Sequence, residues 1–167
     1  MSVTVFTIGH SNHPPAVFTG LLRGQAVTCL ADVRSQPASR FAPQFNRAAM
    51  VGWLGEAGIG YHWLGAALGG RPRGPAVRRP DGGVDYRRRA MQPDFVAGIA
   101  ALLKLAADRP TAIMCAERDP QQCHRTHLVT PALLAQGVIV RHILADGSCV
   151  DHGALQQRVS EQPDLFD

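Results

Sequence analysis

Apolar residues recur along this chain in two rhythms that take turns. Short apolar runs at residues 3–8, 27–33, 61–64, 111–114 and 138–144 have the length and β-branched content of buried strands. Between them, Val17, Phe18, Leu21 and Leu22 fall at spacings of three and four, as do Met50, Trp53, Leu54 and Ala57. Residues 94–107 and the set Leu128, Val129, Leu133 and Leu134 continue that helical period, and residues 152–159 allow a last short helix. Strands that alternate with helices of this length imply right-handed crossovers and a sheet covered on both faces. The pattern predicts an α/β fold: a single-domain three-layer sandwich over residues 1–160, with a mostly parallel sheet of about five strands.

The breaks in the pattern are as informative as the runs. Gly9-His10-Ser11-Asn12-His13-Pro14-Pro15 reads as a loop that ends in a helix start, because proline fits the first helical turn. From Arg71 to Asp85 no apolar period exists, and proline, glycine and arginine dominate. With Arg87, Arg88 and Arg89 following, residues 71–89 are predicted to form a mobile Arg-rich loop. Residues 161–167 are expected to be a flexible polar tail.

Composition narrows the class. A chain of 167 residues with 46% hydrophobic content supports one domain with a substantial core. Its longest apolar stretch, 95–107, is interrupted by Gly98 and Lys104 and falls short of the roughly 20 residues a membrane span needs. The start carries no basic, apolar and small-residue signal pattern, so a cytoplasmic protein is expected. Four cysteines without a Cys-x-x-Cys pair suggest free thiols. The net charge of +4 is carried almost wholly by arginine, Lys104 being the exception. Arginine suits bidentate phosphate contacts, which permits a nucleic-acid partner without requiring one.

The densest collection of chemistry is Met114-Cys115-Ala116-Glu117 through Cys123-His124-Arg125, on a predicted strand-to-helix connection. Ligands of open α/β sheets bind at the carboxyl ends of the strands, where helix starts also offer N–H groups to anions. Glu117 and Asp32 are the candidate acid or base, since a carboxylate beside a buried strand is readily perturbed. Cys115 is either a packed thiol or a nucleophile whose thiolate Arg118, Arg125 or the helix start stabilises. Asp32 and Arg34, two apart on an extended strand, form either a structural ion pair or an orienting group and a phosphate holder. His10 joins the candidate catalytic set, and Ser11, Arg34, Arg40, His124 and Arg125 are candidate phosphate contacts. Arg71, Arg73, Arg78, Arg79, Arg87, Arg88 and Arg89 are candidate nucleic-acid contacts, against the plainer reading of a solvated charge run.

Several familiar motifs fail. Gly9-x-Ser11 lacks the final glycine of a nucleophile elbow, and Gln121 stands where a Cys-x5-Arg phosphatase loop needs arginine. Gly58-Ile59-Gly60 precedes a strand instead of following one, so it is no dinucleotide loop. Cys115, Cys123 and His124 lack the spacing of a zinc site, so neither a metal nor a cofactor is expected. In the tail, Gln162-Pro163-Asp164-Leu165-Phe166 resembles the Gln-x-x-Leu-Phe peptide by which bacterial replication and repair proteins dock on the sliding clamp. Exposed Leu165 and Phe166 would each recover roughly 1.5–3 kcal/mol on burial in a partner pocket. Gln162, Leu165 and Phe166 are therefore candidate clamp contacts.

A longer resemblance spans most of the chain. Thr7-Ile8-Gly9-His10-Ser11, Asp32-Val33-Arg34-Ser35 with Pro37 and Ser39-Arg40, Phe45-Asn46, Gly58-Ile59-x-Tyr61, Leu68-Gly69-Gly70 and the Cys115 to Arg125 stretch occur in order. From Thr7 to about Leu144 the sequence resembles the domain-of-unknown-function 488 family of small bacterial and archaeal α/β proteins. The resemblance marks pocket positions and names no reaction. The expectation that follows is an enzyme acting on nucleic acid or a nucleotide, by hydrolysis, in DNA repair or modification. The alternatives are a non-catalytic DNA-binding accessory protein and a thiol- or metal-dependent enzyme using Cys115.

Overall fold

The structure, a computed structural model, describes residues 2–161. Six strands form one sheet: β1 (Thr4–Gly9), β2 (Cys29–Asp32), β3 (Gly60–Trp63), β4 (Thr111–Cys115), β5 (Ile139–Ile143) and β6 (Cys149–Asp151). Their order is β3-β2-β4-β1-β5-β6. The first five are parallel, and β6 returns antiparallel to β5. The sixth strand exceeds the sequence expectation because Cys149–Asp151 is too short to show a period.

Helices cover both faces: α1 (Pro15–Gly24), α2 (Arg47–Glu56), α3 (Gly65–Leu68), α4 (Tyr86–Met91), α5 (Pro93–Asp108), α6 (Thr130–Ala135) and α7 (His152–Glu161). Strand alternation sorts the core. Ala112 and Met114 of β4 join Phe18, Leu22, Met50 and Leu54 from α1 and α2. Ile113 and Cys115 face the other way, toward Leu68, Phe95, Leu102 and Leu133. This is the expected three-layer sandwich, and no described helix is long and apolar enough to cross a membrane.

Two segments depart from expectation. The helix predicted from 124 to 135 is instead a π-helix (Arg125–Val129) running into α6. Pro131 explains it: proline has no N–H to give His127, and its ring would strike that carbonyl in an α-helix. The widened turn lets the Thr130 hydroxyl reach the Arg125 carbonyl at 2.6 Å. Residues 71–89, expected as a featureless loop, contain a 3-10 turn (Pro75–Val77), a bridge between Arg78 and Val84, and the start of α4. Val77 is buried, and the Asp85 side chain caps α4 by accepting from the N–H groups of Arg87 and Arg88. One apolar anchor and one cap are too little periodicity to register in the sequence, yet enough to fold the segment onto its neighbours.

β4 lies between β1 and β2, so the carboxyl ends of these three strands adjoin. The pairing continues past them, with His10 N–H donating to the Cys115 carbonyl at 2.9 Å and Ser11 N–H to the Ala116 carbonyl at 3.1 Å. Gly9 is required there, since a Cβ at that position would lie 1.9 Å from the Glu117 carbonyl oxygen. The two loops that carry most of the candidate chemistry are thus pressed together.

Candidate functional site

Asp32 ends β2 with its side chain sealed from solvent, and Arg34 folds back on it. Arg34 Nε donates to Asp32 Oδ1 at 2.9 Å and Nη2 to Oδ2 at 2.7 Å, while the Arg34 backbone N–H adds a bond to Oδ1. Tyr61 donates its hydroxyl to Oδ2 at 2.6 Å. Burial and this bond push the Tyr61 phenol well above its ordinary range. Both Asp32 oxygens are therefore occupied. Arg34 is spent as well, with Nη2 also on the Phe45 carbonyl and Nη1 on His10 Nε2 at 3.2 Å.

His10 stacks on Phe45 with ring centroids 4.5 Å apart. Its Nδ1–H donates to the Ser11 carbonyl at 2.7 Å, which leaves Nε2 as the acceptor facing Arg34. Burial, with Arg34 nearby, lowers its pKa to about 4 despite the opposing pull of the Ser11 carbonyl and Asp32. His10 is a neutral imidazole with both nitrogens engaged. The quartet of His10, Asp32, Arg34 and Tyr61 forms a closed frame, in which the structural ion-pair reading of Asp32 and Arg34 prevails.

The second group centres on Cys115, at the end of β4. Arg125 is fully buried, and its Nη1 donates to Cys115 Sγ at 2.7 Å and to the Glu117 carbonyl at 2.6 Å. Nε reaches the Thr7 hydroxyl at 3.2 Å. No carboxylate pairs with it among the described residues. Burial lowers the guanidinium pKa to about 10, so the group stays charged at neutral pH. The sulfurs of Cys115 and Cys123 meet as a disulfide pair, where four free thiols were expected; Cys29 and Cys149 remain free. The Cα atoms of the pair are 7.6 Å apart.

His124 points inward: Nε2 donates to the Val33 carbonyl at 3.0 Å, and its ring packs so tightly on Gly70 that a Cβ there would lie 2.8 Å from Cγ. Burial lowers its pKa, which leaves it neutral. The anion site expected at Arg34, His124 and Arg125 is therefore not open to solvent. Each lies beside the carboxyl edge as predicted, but its donors are directed into the protein. Arg89 is also removed from the surface set, since it is buried, ion-pairs with Asp94 at 2.7 Å and donates to the Ala67 carbonyl.

What remains of the candidate cations lies on the connections that leave the carboxyl ends of β2, β3 and β4. Arg40, Arg71, Arg73, Arg87 and Arg118 are exposed and form no ion pair among the described residues. Arg78 leans on carbonyls of Pro72 and Gly82, Arg79 pairs with Asp81, and Arg88 with Asp85. The loop from β2 to α2 is fixed to the edge by Gln44, which donates to Asn12 and to the His13 carbonyl. On that loop Phe41, which the sequence reading passed over, is 92% exposed. An aromatic between Arg40 and a buried Ala42, inside an otherwise polar loop, was its only signal. Glu117 is exposed on the neighbouring loop, and Ser11 is half-buried.

Two concavities lie elsewhere. One of about 590 Å³ is lined by Ser2, Val3, Leu103 and Gly137 at the opposite edge, and one of about 340 Å³ by Thr126, His127, His152 and Leu155. Neither is lined by Asp32, Cys115 or Glu117. Among the described residues no cluster of three or more acidic, His or Cys side chains is arranged to hold a metal ion. Gln162, Leu165 and Phe166 lie outside the described residues.

The family model for the domain of unknown function DUF488 matches residues 14–131. That stretch includes the Asp32–Arg34 pair and the Cys115 to Arg125 segment, while His10 and Ser11 precede it. No curated protein and no solved structure matches the chain.

Proposed function

Because the chain belongs to the DUF488 family, which names no reaction, we propose from its own geometry that it is a nucleic-acid-directed protein gripping unpaired strand or an unstacked base at the carboxyl edge of the sheet. The observation that carries this reading is Phe41, 92% exposed next to Arg40, which forms no ion pair among the described residues, on a chain that also exposes Arg71, Arg73, Arg87 and Arg118. Guanidinium groups without acidic partners suit phosphates, and an exposed aromatic face suits base stacking. An open edge accommodates a polymer better than it encloses a small molecule.

Any hydrolytic step falls to Glu117. It is a solvent-facing carboxylate on this edge, held among the described residues only by the Asp119 N–H at 3.4 Å, whereas neighbouring Asp119 caps a 3-10 turn and Asp32 and His10 hold the frame. Repair or modification of a flipped base is the reaction class that fits. The docking peptide Gln162 to Phe166 would deliver this surface to DNA behind a sliding clamp. Joint Leu165→Ala and Phe166→Ala substitution is expected to abolish clamp binding in a pull-down, and unchanged capture would end that part of the proposal.

Fluorescence anisotropy with labelled single-stranded and duplex oligonucleotides tests the main claim. Binding should weaken steeply between about 50 and 200 mM salt, with Arg40→Ala and Arg71→Ala each lowering the log–log slope by about one. Phe41→Ala should cost single-strand binding about 1–3 kcal/mol while leaving the slope unchanged. Salt-insensitive binding, or none, would reject the surface. Turnover kept by Glu117→Gln would remove Glu117 as the acid or base, and binding without any turnover would replace the enzymatic role by the non-catalytic accessory one.

A further inference from the structure

Arg125 poses an electrostatic problem that the nucleic-acid reading does not touch. It is a cation with no exposed surface and, among the described residues, no carboxylate in ion-pair contact. Backbone carbonyls of Glu117 and Arg118 and the Thr7 hydroxyl satisfy its hydrogens but not its charge. A buried charge without an anion in direct contact is unfavourable. The nearest other group is Cys115 Sγ, 2.7 Å from Nη1; it is joined to Cys123 in the structure, and on reduction a thiolate there would supply an anion in direct contact.

The neighbours divide the work between the two sulfurs. Cys123 Sγ receives only the Arg125 backbone N–H, at 3.5 Å, and faces His124 Nδ1 at 3.7 Å. Since His124 uses its Nε2–H on the Val33 carbonyl, Nδ1 presents a lone pair to the Cys123 thiol. One sulfur is thus held against a cation and the other against a base. Glu117 and Asp119 act on Arg125 from farther away and favour its charged form. Cys115 and Cys123 are 2% and 5% exposed, which excludes the disulfide of another folded protein and restricts any oxidant to a small molecule.

We propose that Cys115 and Cys123 form a hydroperoxide-reactive dithiol centre, in which Arg125 holds Cys115 as the attacking thiolate and His124 serves the resolving thiol of Cys123. The Cys115 thiolate attacks the peroxide; an S–O bond forms, the O–O bond breaks, and the departing oxygen takes a proton from water and leaves as alcohol or water. Sulfur loses two electrons and the peroxide gains them. Cys123 then gives its proton to His124 Nδ1 and attacks the sulfenic sulfur. The S–S bond forms, the S–O bond breaks, and hydroxide leaves with the proton from His124 as water. A small external dithiol returns both thiols by exchange and becomes the oxidised partner.

The test uses the whole protein, reduced and then exposed to hydrogen peroxide, with each cysteine followed by peptide mass spectrometry. The expected product is a bond between Cys115 and Cys123 that a dithiol reverses. In Cys123→Ser, a sulfenic acid should accumulate on Cys115 and be trapped by dimedone. The iodoacetamide alkylation rate of Cys115 should rise with pH around a midpoint at least about one unit below the ordinary thiol value near 8.5. Cys29 and Cys149, whose thiols burial pushes up, should react only at higher pH and serve as internal references. Arg125→Lys, if folded by circular dichroism, should slow alkylation at pH 7 by about tenfold. A midpoint at or above the ordinary thiol value, no trapped sulfenic acid, or a bond that resists the dithiol would overturn the proposal. The wild-type pH profile decides it even if the Arg125 variant does not fold.

Discussion

Replacement of Asp32 by alanine is expected to lower the free energy of unfolding by about 3–5 kcal/mol, because it leaves the Arg34 guanidinium buried without a counter-charge. Few single changes in this chain should cost more. Asp32 accepts from Arg34 Nε, Arg34 Nη2, the Arg34 backbone and Tyr61, so its loss also strands a phenol and a guanidinium edge. For a chain of this length the effect corresponds to a fall in Tm of roughly 6–20 °C. Adding Arg34→Met should restore a large part of the loss, since an apolar side chain of similar reach replaces the orphaned charge. Urea unfolding of the two single variants and the double variant measures this as a coupling energy. An Asp32→Ala protein as stable as the parent would mean that the carboxylate is not the structural partner of Arg34. It would become available for chemistry again.

Stability should also collapse on the acid side of neutrality. Burial holds His10 to a pKa of about 4 and His142 to about 3, His142 accepting further depression from His152 and Arg125. His124, His152 and His13 are lowered too, each chiefly by burial. The unfolded chain protonates these imidazoles near 6.5, whereas the native state does so only at lower pH. Between those limits the unfolded state binds more protons, so stability rises with pH and is lost as pH falls from about 6.5 toward 4. Each such histidine contributes a slope of up to about 1.4 kcal/mol per pH unit, and His10 with His142 together up to about 2.7. Denaturant midpoints at pH 7.5, 6.0 and 5.0 should fall progressively. His142 lies in a chain from Thr7 through His142 to His152, with contacts of 2.7 and 3.1 Å, so replacing it by glutamine should flatten the lower part of the curve. A midpoint independent of pH over that interval would show that these rings take up protons in the native state.

The two expectations share a cause with the assignments at the functional edge. Side chains of types found in active centres are used here to hold the carboxyl ends of β1, β2 and β4 in place, and the surface left over is cationic and aromatic. Asp32, His10, Arg34 and Arg125 were selected from the sequence for their chemistry. Their positions beside the edge followed from the strand pattern, but availability depends on partners. Arg34 meets His10 across a separation of 24 residues and Thr7 meets His142 across 135, distances over which no local period carries information.

The amino-acid sequence alone determined the layered α/β architecture, the parallel majority of the strands and the gathering of polar residues at the strand ends. Those features follow from hydrophobic repeats of two and about 3.6 residues and from turn formers, which are properties of neighbouring positions. Only the tertiary structure decided that β4 lies between β1 and β2, that Arg89 turns inward to Asp94, that Phe41 stays in solvent and that Cys123 meets Cys115. Burial of a charge or a thiol is set by which distant groups fold against it, and that information is spread over the whole chain.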